Sequence, residues 1–114
     1  MMARRTDSGI LQIRNDVIGS IALLAAQEVQ GVVDAWRGIF PANQIPGNGA
    51  VRVETRDQEV RLWLNLVAEY GISLPELAAH VQDRVRETVE RMTNLNVVEV
   101  NVGIRHVRKR GGAL

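Results

Sequence analysis

At 114 residues, with a formal net charge of +1 and a hydrophobic share of 46%, the chain has the size of one ordinary domain and enough apolar mass for a modest core. The lack of cysteine excludes disulfides and thiolate chemistry, and no apolar run approaches the ~20 residues that a spanning helix needs. Residues 1–8 lack the apolar core of a signal peptide, so the expected location is cytoplasmic.

In chain order, the basic N-terminus carries Arg4 and Arg5 and is expected to be flexible over residues 1–8. Leu11 and Ile13 mark a short first strand. Asn15 is placed to cap a first helix, with Asp16 in the first turn where it favours the dipole. Val17, Ile18, Ile21, Leu24, Ala25 and Val29 form the expected buried stripe, and Gly31 the stop. Residues 32–50, with Trp36, Phe40, Pro41 and Pro46, read as a long connection holding a short helical turn early and an irregular loop late. Val51 and Val53 begin a second strand, and Arg56-Asp57-Gln58 turns it into a third, which predicts an antiparallel hairpin.

The stretch from Val60 to Val102 is the most legible part of the chain. Val60, Leu62, Leu64, Leu66, Ala68 and Tyr70 alternate with Arg61, Trp63, Asn65, Val67 and Glu69, the period of a strand with one buried face. Gly71 breaks it. Ser73-Leu74-Pro75-Glu76 is a capping box with proline inside the first turn, where its missing donor costs nothing. Leu77, Ala78, Val81, Val85, Val89 and Met92 give the second helix its stripe, and Asn94 suits a left-handed stop. Val98, Val100, Val102 and Ile104 then alternate with Glu99, Asn101 and Gly103 as a last strand. Arg105, Arg108, Lys109 and Arg110 follow in a basic tail over residues 105–114, leaving 9–104 as the domain.

The order β-α-β-β-α-β with two amphipathic helices predicts an α+β two-layer sandwich, both helices on one face of a four-stranded, mostly antiparallel sheet in the ferredoxin-like manner. The other face is then open. It is expected to show Arg61, Trp63, Asn65 and Val67 on the third strand and Val97, Glu99 and Asn101 on the fourth. Trp63 is covered by the 32–50 segment, which brings Trp36 and Phe40, is left partly exposed, or is buried against another subunit. Trp63, Val67, Val97, Trp36 and Phe40 are therefore the candidate interaction residues.

Catalysis finds little to work with. Ser73 already opens a capping box, and His80 falls between Glu76 and Arg84 on the solvated side of the same helix. Two distant histidines without cysteine make no recognisable metal constellation, and the glycines at 47 and 49 precede a strand instead of a helix, so no phosphate loop is formed. No catalytic, cofactor-binding or metal site is expected. The basic ends either keep frayed termini soluble or act as arms toward an anionic surface, for which Arg105, Arg108, Lys109 and Arg110 are the candidates. The element order is shared with the RNA-recognition fold, yet only Trp63 offers a stacking aromatic on the central strands, so an RNA association would rest on the basic tail.

Leu64-x-Leu66-Val67-x-Glu69-Tyr70-Gly71, the helix opening Leu74-Pro75-Glu76, and Met92-Thr93-x-Leu95-x-Val97-Val98-Glu99-Val100-Asn101-Val102 resemble the alkaline shock protein family of bacterial envelope-stress proteins. Ile13-x-Asn15-Asp16-Val17-Ile18, Ile21-Ala22 and Glu28-Val29-x-Gly31-Val32 are similar to the opening of that family, so the likeness spans about Gly9 to Val102. The resemblance implies a non-enzymatic protein of cell-envelope homeostasis. The expectation that goes with it is action through protein contacts near the inner face of the membrane: a homo-oligomer with a membrane-anchored protein partner and peripheral membrane association, without nucleic acid. The alternative is a small RNA-associated protein using its basic tail.

Overall fold

The computed structural model describes residues 5–6, 9–10, 13–37 and 49–109. Its elements are β1 (Arg5–Thr6), β2 (Gly9–Ile10), α1 (Asn15–Gln27), β3 (Val32–Ala35), β4 (Val51–Arg56), β5 (Glu59–Glu69), α2 (Leu74–Thr93) and β6 (Asn96–Arg108). The class is the expected α+β sandwich, and the strand–helix–hairpin–helix–strand order is present with β1 and β3 added. The four-stranded sheet consists of β3, β4, β5 and β6, while β1 and β2 pair only with each other. Of the expected first strand, Leu11 lies outside the described residues and Ile13 is not in a strand. The ferredoxin-like pairing is not formed: the place beside the third strand that it gives to the first strand is taken by β6, which runs parallel to β5, and β3, where a helical turn was expected, joins the edge that β4 occupies. Val32 and Val33 are β-branched and stiff, which suits an extended backbone better than a turn of helix.

β5 is the axis of the sheet. β6 runs parallel along one edge of it from Asn96 to Arg108, and β4 and β3 lie antiparallel, one beyond the other, along its opposite edge. The hairpin turn is Asp57-Gln58 between the paired Arg56 and Glu59, with Asp57 at φ 58°. Val60, Leu62, Leu64, Leu66 and Ala68 project from β5 into one core with α1 and α2. In α2 the buried residues are Leu77, Val81, Val85, Val89 and Thr93, a strict four-residue step. Met92, expected in this stripe, is 59% exposed. Thr93 takes the buried place because its hydroxyl finds two partners, donating to the Val89 carbonyl (2.6 Å) and accepting from the Leu95 N–H (3.1 Å). The caps are as expected: Ser73 Oγ accepts from the Glu76 N–H, and Asn94 has φ 64°.

α1 buries part of the expected stripe: Ile18, Ala25 and Val29 are in the core and Ile21 packs against it, but the helix turns Val17 and Leu24 away. Ile18, Ala22, Leu23, Ala25 and Ala26 are buried, whereas Val17 and Leu24 are 47% and 63% exposed. The helix is apolar on more than one side, and the small residues of the chosen side let its backbone approach the sheet and α2 closely. Asn15 is not the cap either. Arg14 holds that position, and Asn15 ties the helix start to β4, its Nδ2 donating to the Val53 carbonyl (3.4 Å) and its Oδ1 accepting from the Thr55 hydroxyl (3.1 Å). Gly31 turns the chain out of the helix at φ 106°, and a Cβ there would sit 2.6 Å from Ile72 Cδ1.

Candidate functional site

The sheet face away from the helices is built by the alternate residues of three strands. Arg52 and Glu54 come from β4, Arg61, Trp63, Asn65 and Val67 from β5, and Glu99, Asn101, Gly103 and His106 from β6. Trp63 is half-buried. The Arg52 guanidinium lies over its ring, 5.5 Å from the centroid, and is steadied by Glu54 at 2.9 Å. Arg61 bridges Glu99 at 3.3 Å and Glu59 at 4.0 Å. Exposed pairs of this kind contribute about 0.2–1 kcal/mol each, so they order the surface more than they stabilise the fold.

Beyond Trp63 the face closes. The Trp36 and His106 rings stand 5.9 Å apart, although their strands flank β5 on opposite edges, so the two side chains meet over the central strand. Beneath them Asn65 and Val67 are 3% and 1% exposed, despite pointing away from the helices. The Asn65 backbone is held at the junction of β3 and β4: its carbonyl accepts from the Trp36 N–H (2.8 Å) and its N–H donates to the Ala50 carbonyl (2.9 Å). Its side-chain Oδ1 accepts from Arg105 Nε at 2.8 Å. At the rim, Asp34 lies 3.7 Å from Arg37 and 3.8 Å from Arg108.

Of the candidate interaction residues, the structure brings Trp63, Val67 and Trp36 to this face. Val97 is corrected: it pairs with Val60, is 3% exposed and belongs to the helix-side core. A bulge at Val98 shifts the phase of β6 by one residue, so Val97 points inward and Val98, expected in the core, is 36% exposed. The bulge is fastened by α2, where Arg86 Nε donates to the Val97 carbonyl (3.3 Å) and the Val97 N–H donates to Glu90 Oε2 (2.9 Å). Phe40 and Arg110 lie outside the described residues. Arg105 and Arg108 are members of β6, which runs through the expected domain boundary at 104. Lys109 follows the strand and is exposed.

Sequence reasoning placed Asn65 on this face without seeing its role, and missed Arg52 and His106. A lone amide inside the apolar run Leu64-Asn65-Leu66-Val67-Ala68 was the available signal for Asn65. Nothing local announces that Arg52 falls opposite Trp63 or His106 opposite Val67, since both follow from strand register. His80 is exposed on α2. Among the described residues no group of three or more His, Asp, Glu or Cys is arranged to hold a metal ion, and no helix is long and apolar enough to cross a membrane. What this arrangement offers chemically is a partly apolar, aromatic-centred contact surface with fixed charges.

A profile of the alkaline shock protein 23 family, described as having a cell envelope-related function, matches residues 3–109. The chain is 34% identical over 105 residues to the uncharacterized protein YqhY of Bacillus subtilis (strain 168), covering 87% of this chain and 77% of that one. It is 32% identical over 108 residues to a stress response regulator gls24 homolog of Streptococcus pyogenes serotype M3, covering 90% of this chain and 60% of the regulator's length. YloU of Bacillus subtilis is 29% identical over 115 residues, covering 91% and 92%. Among solved structures, a variant of MamM CTD superposes with a TM-score of 0.61 at 14% identity, over 90% of this chain and 92% of that one. A copper form of MamM CTD gives 0.54 at 13%, over 87% and 91%. At such identities the likeness is one of fold.

Proposed function

Because this chain belongs to the alkaline shock protein 23 family, whose function is cell envelope-related, we propose that it is a non-enzymatic envelope stress-response factor that acts through protein contacts made by the open sheet face. The observation that carries this reading is Trp63: a large aromatic left partly exposed at the centre of a face the helices do not cover, with the Arg52 guanidinium laid on its ring. Aromatic and arginine anchors of this kind dominate protein interfaces. The contacts in question are self-association and the grip of a membrane-anchored protein, which would hold the molecule at the cytoplasmic side of the membrane.

The basic C-terminal residues supplement that hold. Arg108 is partly engaged by Asp34 and Arg105 is bonded to Asn65, so fewer cations are free for an anionic surface than the run of charges implies. The same commitments weaken the RNA reading, which rested on these residues. The deciding experiment captures the natural chain and its Trp63→Ala variant from membrane and cytosolic fractions. Loss of a membrane-protein partner in the variant, at unchanged melting temperature, is the expected outcome. Recovery of ribosomes or transcripts instead would overturn the reading.

A further inference from the structure

Along the sheet face, Arg52, Arg61 and Arg108 each lie within 4.0 Å of a carboxylate. Arg105 has no such neighbour among the described residues, and its charge is held by a neutral group, the Asn65 amide oxygen. Three features build this arrangement. A bulge skips Arg105 in the pairing of β6 with β5, since Leu66 opposes Ile104 and Val67 opposes His106, so Arg105 and His106 in succession serve the same face. Asn65, which fixes Arg105 Nε, is itself 3% exposed and anchored through its backbone to Trp36 and Ala50. The residue that opposes Asn65 in register is Gly103, where a Cβ would stand 2.8 Å from Asn65 Oδ1 and 3.2 Å from Arg105 Nε. Only glycine leaves the bond its room.

We propose that Arg105 is the recognition residue for a single carboxylate presented by a segment of a partner protein, with an apolar side chain beside that carboxylate resting on Trp36. This rests on the protein-contact reading above and names its chemistry. With Nε committed to Asn65, the two η nitrogens remain as a fork, the geometry that suits a carboxylate. The guanidinium is held in place before binding, so less side-chain freedom is lost when the ligand arrives. The surroundings select one carboxylate over a polyanion. Glu54, Glu59, Glu99 and Asp34 share the face or its rim, so a nucleic-acid backbone or an anionic bilayer would bring charge against them. A lone acid next to an apolar residue would not.

The test follows the Arg105 Nε–H and Trp36 indole N–H resonances of the full ¹⁵N-labelled chain during titration with four probes: acetyl-Phe-Glu-Phe-amide, acetyl-Phe-Gln-Phe-amide, inorganic phosphate and dihexanoyl-phosphatidylglycerol. The Glu peptide is expected to move both resonances and to bind at least about tenfold more tightly than each of the other three. Equal binding of the Glu and Gln peptides, equal or tighter binding of phosphate or lipid, or no movement of Arg105 by the Glu peptide at about 10 mM would each overturn the proposal. Arg105→Lys keeps the charge and removes the fork, and should weaken the Glu peptide by about tenfold at unchanged melting temperature; undiminished binding would also overturn it. Should that variant fail to fold, the two peptides compared on the natural chain still decide. Failure here with loss of the membrane partner in Trp63→Ala would leave the broader reading intact and remove only this site.

Discussion

Asn65 sits in an apolar run with 3% of its surface exposed, and a buried amide without partners costs about 1–3 kcal/mol. Two bonds satisfy its backbone groups, and a third, donated by Arg105 to Oδ1, relieves the penalty at the side-chain oxygen. Gly103→Ala should break the third, because the new methyl group needs the space of Asn65 Oδ1; a loss of about 0.5–1.5 kcal/mol in urea melts, with the Arg105 Nε–H resonance losing its protection, is the expected result. Gly31→Ala should cost more, about 1–3 kcal/mol, since a positive φ of 106° is strained for any L side chain and Ile72 stands in the way. Asp16 provides a pH-dependent contrast. The hydrogen bond from Arg14 holds its carboxyl below the ordinary value of 3.8 on an exposed turn. A lowered folded value means that the contribution is present above 3.8 and disappears as pH falls through the folded value. The melting difference between the natural chain and Asp16→Asn should therefore shrink as the solution is acidified below 3.8, and a difference that grows there would contradict the assignment.

At the scale of elements, α1 and β6 show how the same apolar residues can be used in two ways. On α1 the stripe Val17, Ile21, Leu24 and the stripe Ile18, Ala22, Ala25, Val29 have equally good helical spacing, and the fold buries the second. Leu24→Ala should then change stability by less than about 0.5 kcal/mol, the behaviour of a surface position. Leu66→Ala should cost about 2–5 kcal/mol, because Leu66 is fully buried between the sheet and the helices. Chemical denaturation of both variants checks the pair. On β6 the register is set from outside the strand. Gln82, Arg86 and Glu90, four residues apart along α2, bond to the Val100 and Val97 backbone and so line the start of an edge strand with side chains.

At the scale of the whole molecule, one sheet face is spent on the core and the other is divided between a closed end, under Trp36 and His106, and an open one at Trp63. Trp63→Ala should weaken self-association without unfolding the monomer, and light scattering across concentration measures it. A strictly monomeric natural chain at high concentration would remove self-association from the proposed function. Removing residues 108–114 should reduce envelope association in cells without abolishing it. Each basic side chain at an anionic surface is worth about 1 kcal/mol, so even if Arg105, Arg108, Lys109 and Arg110 were all free the dissociation constant would be only about 1 mM, which needs a protein contact beside it. The cut also removes the Tyr70 N–H bond to the Arg108 carbonyl and the Arg108–Asp34 pair, both at the end of the sheet.

Local chemistry was sufficient wherever a signal is complete within a few residues. The alternation of β5, the cap at Ser73, the stop at Asn94 and the turn at Asp57 are backbone preferences satisfied by near neighbours, so they were readable from the chain, and with them the α+β class and the open position of Trp63. The side of α1 that is buried, the recruitment of β3, the inward turn of Val97 and the union of Asn65 with Arg105 were settled only by packing. Two stripes of equal period compete on α1, and a bulge of one residue reverses every side chain that follows it. Such choices are made by what lies opposite in space: α2 side chains fasten the bulge at Val98, and strand register carries Arg105, forty positions along the chain, onto the amide of Asn65.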